Sequence, residues 1–186
     1  MQKLVVFNHV SLDGYFTDAK GEMSFARNPI ADAEWDEFVA GNAAGGGTLV
    51  FGRVTYDLMA SYWPTPMAAQ QMPHVAERMN SLPKVVFSRT MQDAAWQNTK
   101  LVKNDLLGEI RRMKQGNGDG MVIFGSGSIV SQLTQAGLID EYQFVVDPVV
   151  LGKGRTMFDG VQESRILKLK STRHFSNGNV LLCYEP

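Results

Sequence analysis

Gly125-Ser126-Gly127-Ser128 is the stretch of this chain best equipped to hold an anion. It follows the apolar run Met121 to Phe124 and leads into Ile129, Val130 and Leu133, which recur at helical spacing. The pattern reads as a strand, a tight turn and a helix amino terminus. Glycines let the backbone approach a ligand closely, and the free N–H groups of a helix's first turn attract a phosphate. A second unit of this kind follows Thr48 to Phe51, where Gly52 leads into a helical segment beginning near Arg53-Val54-Thr55-Tyr56. Two such corners suit the two phosphates of a pyrophosphate, with hydrogen bonds added by the hydroxyls of Thr55, Ser126 and Ser128. Beyond a third apolar run, Lys84 to Phe87, lie Ser88, Arg89 and Thr90. Arg53, Ser88 and Arg89 would make a separate cationic pocket for a further phosphate. Charge-assisted hydrogen bonds contribute about 1.5–3 kcal/mol each, so two arginines could separate cofactors with and without a 2′-phosphate.

A carboxylate and several rings complete the chemically useful set. Asp13, in the turn signal Asp13-Gly14, either positions substrate or relays a proton, or merely shapes its turn. Tyr15, Phe16, Trp35, Tyr62 and Trp63 are candidates to line a pocket for a flat ring, with core packing as the alternative for each.

These residues need elements that bring strand ends together. Lys3 to Val10 makes a first strand ending at Ser11-Leu12-Asp13-Gly14, and the polar, glycine-punctuated segment from there to Pro29 reads as a functional loop. Asn28-Pro29 is expected to open a helix with Asp32 and Glu34 near its positive end and Trp35, Phe38 and Val39 on its apolar face; Gly41 to Gly47 would end it. The run Gly45-Gly46-Gly47 precedes its strand and lacks a following Gly-Lys-Ser/Thr, which excludes a phosphate loop there. A helix over about Pro73 to Ser81 leads to the strand Lys84 to Phe87. Another strand covers Thr99 to Val102, and Asp105 caps a helix over Leu106, Leu107, Ile110 and Met113. Gly137 ends the helix after the first corner. Tyr142 to Pro148 forms a strand whose proline marks its end or an edge, and Gly152-Lys153-Gly154 a glycine-rich loop. Two last strands, 165–174 and 179–184, flank the hairpin signal Asn177-Gly178. The expected fold is α/β, one domain over 1–186, with a mixed, mostly parallel sheet, helices on both faces and a C-terminal antiparallel hairpin. In such sheets ligands bind beyond the carboxyl ends of the strands, where Asp13, Gly52 to Thr55, Ser88 to Thr90 and Gly125 to Ser128 would converge.

Composition narrows the function classes. Eighteen Lys and Arg against nineteen Asp and Glu give a net charge of −1 with no basic run, which argues against nucleic acid. No segment reaches the roughly 18 apolar residues of a membrane span, and the apolar run near the amino terminus is too short for a signal peptide. The single cysteine, Cys183, fits a reducing, cytoplasmic setting and reads as a small core residue. His9, His74 and His174 lack the spacing of metal ligands, so no metal is expected. The usual dinucleotide fingerprint is absent too: Gly125-x-Gly127-x-x-Val130 has no third glycine, and no acidic residue follows about 20 positions on to take a ribose hydroxyl.

Five motifs, in order, carry a resemblance: Ser11-Leu-Asp-Gly14, Phe51-Gly-Arg-Val-Thr-Tyr56, Val86-Phe-Ser-Arg-Thr90, Phe124-Gly-Ser-Gly127, and Asp140-Glu141 followed by Pro148-Val-Val-Leu-Gly-Lys-Gly154. Over nearly its whole length the chain resembles the bifunctional deaminase-reductase C-terminal domain family, whose fold is that of dihydrofolate reductase. The resemblance implies an NADPH site in which the Gly52-Arg53-Val54-Thr55 and Gly125-Ser126-Gly127-Ser128 turns hold the pyrophosphate. It also implies that Arg53, Ser88 and Arg89 surround the 2′-phosphate and that the Asp13 loop borders the nicotinamide. Family members are often homodimers. The implied activity is hydride transfer from NADPH to a small, heterocyclic, pterin- or pyrimidine-like substrate. One alternative is the 5-amino-6-(5-phosphoribosylamino)uracil reductase of riboflavin biosynthesis, with Lys153 and Arg155 as candidates for the substrate phosphate. Another is a non-catalytic NADPH-binding sensor. Two departures stand out: Phe124 occupies the position where riboflavin-pathway reductases commonly have Glu, and the zinc set of the deaminase half is missing. Asp36 is the nearest counterpart, by chain order, of the carboxylate with which dihydrofolate reductase holds a pterin.

Overall fold

Short apolar runs that end in glycine or a polar turn set the architecture. A computed structural model of the protein describes residues 1–44 and 47–186. Six runs become parallel strands: β1 (Leu4–Ser11), β3 (Thr48–Gly52), β4 (Lys84–Phe87), β5 (Thr99–Val102), β6 (Met121–Phe124) and β7 (Glu141–Asp147). With β9 (Lys168–His174) and β10 (Val180–Glu185) they form one eight-stranded sheet in the order β5-β4-β3-β6-β1-β7-β10-β9. The hairpin joins antiparallel to β7. Pro148 therefore marks the end of an interior strand, not an edge.

The helices are α1 (Ala33–Ala44), α2 (Arg53–Tyr62), α3 (Pro66–Gln71), α4 (Pro73–Ser81), α5 (Leu106–Lys114) and α6 (Gly127–Gln135). On one face of the sheet, Leu4, Val6, Val50 and Ile123 pack against Ile110 of α5 and Ile129, Val130 and Leu133 of α6. The opposite face carries two clusters. Leu49, Phe51 and Val86 pack with Tyr56 of α2 and Val75 and Met79 of α4. Val145, Leu181 and Cys183 pack with Phe7 and with Trp35 and Phe38 of α1. Coverage on both faces is why these strands read as continuous apolar runs instead of alternating ones.

Chain order creates a switch point. The chain passes from β1 to β3, β4 and β5 and then returns to place β6 between β3 and β1. A crevice at such a reversal, outside the carboxyl ends, is where open α/β sheets take ligands.

Three local expectations are corrected. Asn28-Pro29 does not open α1: Asp32 does, its Oδ1 accepting the backbone N–H groups of Glu34 and Trp35 at 2.9 and 3.1 Å. Asn28 instead donates from its side chain to the Asn177 carbonyl and Asn179 Oδ1. The helix also continues through Gly41 to Ala44; of the run Gly45-Gly46-Gly47, Gly45 and Gly46 lie outside the described residues. Finally, part of the expected loop after Gly14 is a strand, β2 (Tyr15–Asp18), paired antiparallel with β8 (Gly154–Thr156) in a small separate ribbon.

Candidate functional site

The two strand-glycine-helix corners lie side by side and are bonded to each other. The Gly52 N–H donates to Ser126 Oγ at 2.7 Å, and Ser126 Oγ donates to Thr55 Oγ1 at 3.1 Å. Gly125 and Ser126 both have left-handed φ, +59° and +62°, which turns the chain sharply into α6. A Cβ on Gly125 would lie 2.6 Å from Thr55 Oγ1, so the glycine is needed for both its conformation and its lack of a side chain. Asn8 holds the same peptide from β1: its Oδ1 accepts the Gly125 N–H at 2.6 Å and its Nδ2 donates to the Gly125 carbonyl at 3.3 Å.

Neither corner helix has a side-chain cap. Asp32, Thr65 and Asp105 supply caps to α1, α3 and α5, while α4 also lacks a side-chain cap but opens on Pro73, which has no N–H to satisfy. In α6 the Ile129 N–H donates to the Ser126 carbonyl at 2.8 Å, so the N–H groups of Gly127 and Ser128, with those of the first turn of α2, are left for another acceptor, and the helix dipoles favour an anion there. The hydroxyls expected to assist are mostly committed elsewhere. Those of Ser126 and Thr55 tie the corners together, and both residues are buried. Ser128 is exposed beside them. Phe16 of β2 lies against the turn, 3.0 Å from where a Gly127 Cβ would be, while Tyr15 of the same ribbon donates its backbone N–H to Ser11 Oγ.

Next to α6 a cleft of about 380 Å³ is lined by Phe87, Ser88, Arg89, Val102, Lys103, Asn104, Asp105, Leu106, Ser128, Ile129 and Gln132. Arg89 and Lys103 are exposed and form no ion pair among the described residues. Ser88 Oγ accepts the backbone N–H groups of Thr90 and Met91, fixing the turn that carries Arg89. Arg53 is not part of this lining; it sits in the first turn of α2 and pairs with Asp57, one helical turn on, at 3.4 Å. Lys103 and Asn104, which follow the β5 strand end, were not expected in the site. A lysine after an apolar run was the available signal.

The remaining expected residues divide sharply. Asp13 is a loop clamp: Oδ1 accepts the Ser11 hydroxyl at 2.7 Å and the Leu151 N–H at 3.1 Å, and Oδ2 accepts the Gly152 N–H at 2.7 Å. The Ser11 hydroxyl foremost, with these backbone donors, holds the Asp13 carboxyl below its ordinary range. A carboxylate so satisfied is a poor proton relay at neutral pH. Asp36 is exposed on α1 and is not turned into the fold. The inward acid is Asp32, whose Oδ2 accepts the Ser176 hydroxyl and the Asn177 N–H; with the Ser176 hydroxyl as the main cause and the backbone donors next, its carboxyl is lowered to about 2. Trp63 packs in the α2–α4 cluster, donating its Nε1–H to Met59 Sδ and lying edge-on to Tyr62. Trp35 packs edge-on to His9 at 5.7 Å and to Phe175 at 5.0 Å. Phe124 stacks on Phe51 and meets Phe7 edge-on at 5.9 Å, joining the two clusters of this face.

Comparison with known proteins places the chain in a family and a fold. The sequence profile of the RibD C-terminal domain matches residues 2–181. The chain belongs to the RibD C-terminal domain family. The uncharacterized protein YyaP of Bacillus subtilis (strain 168) is 29% identical to this family member over 185 residues, covering 98% of this chain and 94% of YyaP. Among solved structures, a riboflavin-biosynthesis candidate from Shewanella sp. PV-4 superposes with a TM-score of 0.78 at 22% identity, covering 100% of this chain and 98% of that one. Dihydrofolate reductase from Enterococcus faecalis, solved with NADP(H), superposes at 0.58 with 15% identity over 98% and 95% of the two chains. The fold is therefore that of dihydrofolate reductase, with a mostly parallel sheet and a C-terminal antiparallel hairpin. Among the described residues, no helix is long and apolar enough to cross a membrane, and no group of three or more His, Cys, Asp or Glu could hold a metal.

Proposed function

We propose that this RibD C-terminal domain protein is an NADPH-dependent reductase of a small heterocycle. The observation that carries the reading is the pair of uncapped helix starts at α2 and α6, joined through Gly52, Ser126 and Thr55. The free N–H groups at these two helix starts would hold the pyrophosphate, and the missing Cβ of Gly125 lets the two corners close on each other, since it would meet Thr55. Arg89 and Lys103 in the adjacent cleft hold the 2′-phosphate, with Ser128 at the boundary between the two. Arg53 has a lesser part, since Asp57 already engages it. The Asp13 turn and Phe16, near the carboxyl end of β1, would border the nicotinamide. Bound there, NADPH supplies a hydride to a C=N or C=O bond. Phe7, Phe124 and Trp35 provide apolar ring faces on the α1 side for the substrate. The Asp13 clamp keeps the Leu151–Gly152 loop against that end and takes no part in proton transfer.

NADPH oxidation followed at 340 nm tests the reading, with 7,8-dihydrobiopterin, 5-amino-6-ribosylaminouracil 5′-phosphate and menadione as acceptors. Oxidation with at least one of them is expected. Turnover confined to the phosphorylated pyrimidine would assign the riboflavin-pathway step, for which Lys153 and Arg155, both exposed on or beside β8, are the cations for the substrate phosphate. Tight NADPH binding without oxidation by any acceptor would replace the reductase with a sensor.

A further inference from the structure

We propose that His9 and Asp147 form the proton-donating pair of the reaction, His9 as a catalytic residue and Asp147 as its positioning residue; the proposal rests on the reductase reading. His9 Nδ1 lies 2.9 Å from Asp147 Oδ2. The Asp147 side chain is 1% exposed, and its Oδ1 is buried with no hydrogen-bond partner. A buried carboxylate with one empty oxygen is costly, and His9 is the only side chain that bonds to it among the described residues. A strand end needing only packing would carry an apolar residue there. The His9 side chain is 18% exposed, and Nε2 makes no hydrogen bond to any described residue. The ring thus has one nitrogen anchored inward and the other free.

Position distinguishes this pair from an ordinary structural contact. In the register of β1 with β7, His9 pairs with Val145 and Ser11 with Asp147, so both groups stand at the carboxyl ends of neighbouring strands. Alternation along β1 sends Asn8 to one face, where it grips Gly125, and His9 to the other, beside Phe7 and Trp35. One strand therefore serves the cofactor corner with one residue and the aromatic surface with the next. No other titratable group bonds to the His9 ring among the described residues: β1 and α1 offer it Phe7 and Trp35, Asp36 is exposed, and Asp32 is turned to the hairpin.

Hydride addition to the carbon of a C=N or C=O bond leaves an electron pair on the nitrogen or oxygen. The Nε2–H bond of doubly protonated His9 breaks, and a new N–H or O–H bond forms on the substrate. The substrate is reduced by two electrons as NADPH becomes NADP⁺, and the neutral ring regains a proton from solvent. Asp147 accepts the Nδ1–H throughout, which leaves Nε2 for the substrate and balances the charge of the ring when it carries two protons.

The test compares wild type, His9→Gln and Asp147→Asn in NADPH oxidation with the three acceptors named above. It adds NADPH affinity from fluorescence quenching and the ¹⁵N shifts of the His9 imidazole. For His9→Gln, kcat should fall about 10²–10⁴-fold while KM and NADPH affinity stay unchanged. Asp147→Asn should lower kcat less and move the neutral ring from the Nδ1–H to the Nε2–H tautomer. Should His9→Gln not fold, His9→Ala with added imidazole replaces it, and recovery of rate is expected. Wild-type turnover with His9→Gln equally active, or no imidazole rescue of His9→Ala, overturns the pair and leaves the reductase standing. Absence of turnover in wild type overturns the reductase reading and the pair's role with it.

Discussion

The two ends of the parallel sheet hold hollows of similar size and similar basic content, yet they differ in whether their charges are spent. At the amino ends, about 470 Å³ is bordered by Lys84, Lys100, Glu109 and Arg112 among others. Every one of these charges is engaged. Glu109 takes both Lys100 and Arg112, and Lys84 donates to the carbonyls of Asn80 and Leu82 while lying over the Trp96 ring. Burial pushes the Lys84 ammonium down to about 8. At the carboxyl ends, the cleft of about 380 Å³ has Arg89 and Lys103 without ion pairs and lies beside the uncapped start of α6. A hollow whose charges engage one another is part of the scaffold, and one whose cations have no ion pair, with its one carboxylate, Asp105, spent on the α5 cap, is a place for a ligand.

Four substitutions put this contrast to the test. Gly125→Ala should have the largest effect, because its Cβ meets Thr55 Oγ1 and its backbone is left-handed. Thermal shift should show a lower Tm and little remaining gain from NADPH. Arg89→Ala should weaken NADPH by about 10–100-fold, the worth of a charge-assisted contact, with NADH binding unaltered. Arg112→Ala, the amino-end counterpart, should leave NADPH affinity unchanged in the same titration; a comparable loss there would erase the distinction between the ends. Arg53→Ala should weaken NADPH by less than Arg89→Ala does, since its guanidinium pairs with Asp57 and lies outside the cleft lining.

Acid titration separates the ends in another way. With Arg112 as the main cause and Lys100 next, the Glu109 carboxyl is lowered to about 2 from an ordinary 4.5. A carboxyl depressed on folding contributes stability that is complete above its unfolded value and is lost as pH falls through its folded one. Glu109→Gln should thus lower Tm at pH 7 and change it little near pH 2, without altering NADPH affinity at pH 7. Calorimetric scans over that range check the sign: a Tm difference that grows toward acid would contradict it.

The corners were legible because their signal is local. An apolar run, a glycine and a helical repeat in one window are enough to mark Gly52 and Gly125, and Asp105 announced its cap in the same way, accepting the Gly108 N–H at 2.9 Å. Partnerships between distant segments were not legible. Ser126 and Thr55, read as phosphate ligands, are 71 residues apart in sequence and bond to each other. Asp32 and Asn28 both had the chemistry to start α1; the hairpin residues Ser176 and Asn177 decide for Asp32 by filling its second oxygen. The β2–β8 ribbon joins strands of four and three residues from opposite ends of the chain, too short for periodicity to reveal. His9 drew notice only for lacking metal-ligand spacing, because Asp147 is 138 residues away.

Isothermal calorimetry of NADPH and NADH against wild type and Arg89→Ala reads out what the carboxyl-end cleft binds. Wild type should bind NADPH at least about 10-fold more tightly than NADH, and Arg89→Ala should close most of that gap. Equal affinity for the two dinucleotides in wild type, or a gap that survives Arg89→Ala, would contradict the assignment of the carboxyl-end cleft to the 2′-phosphate.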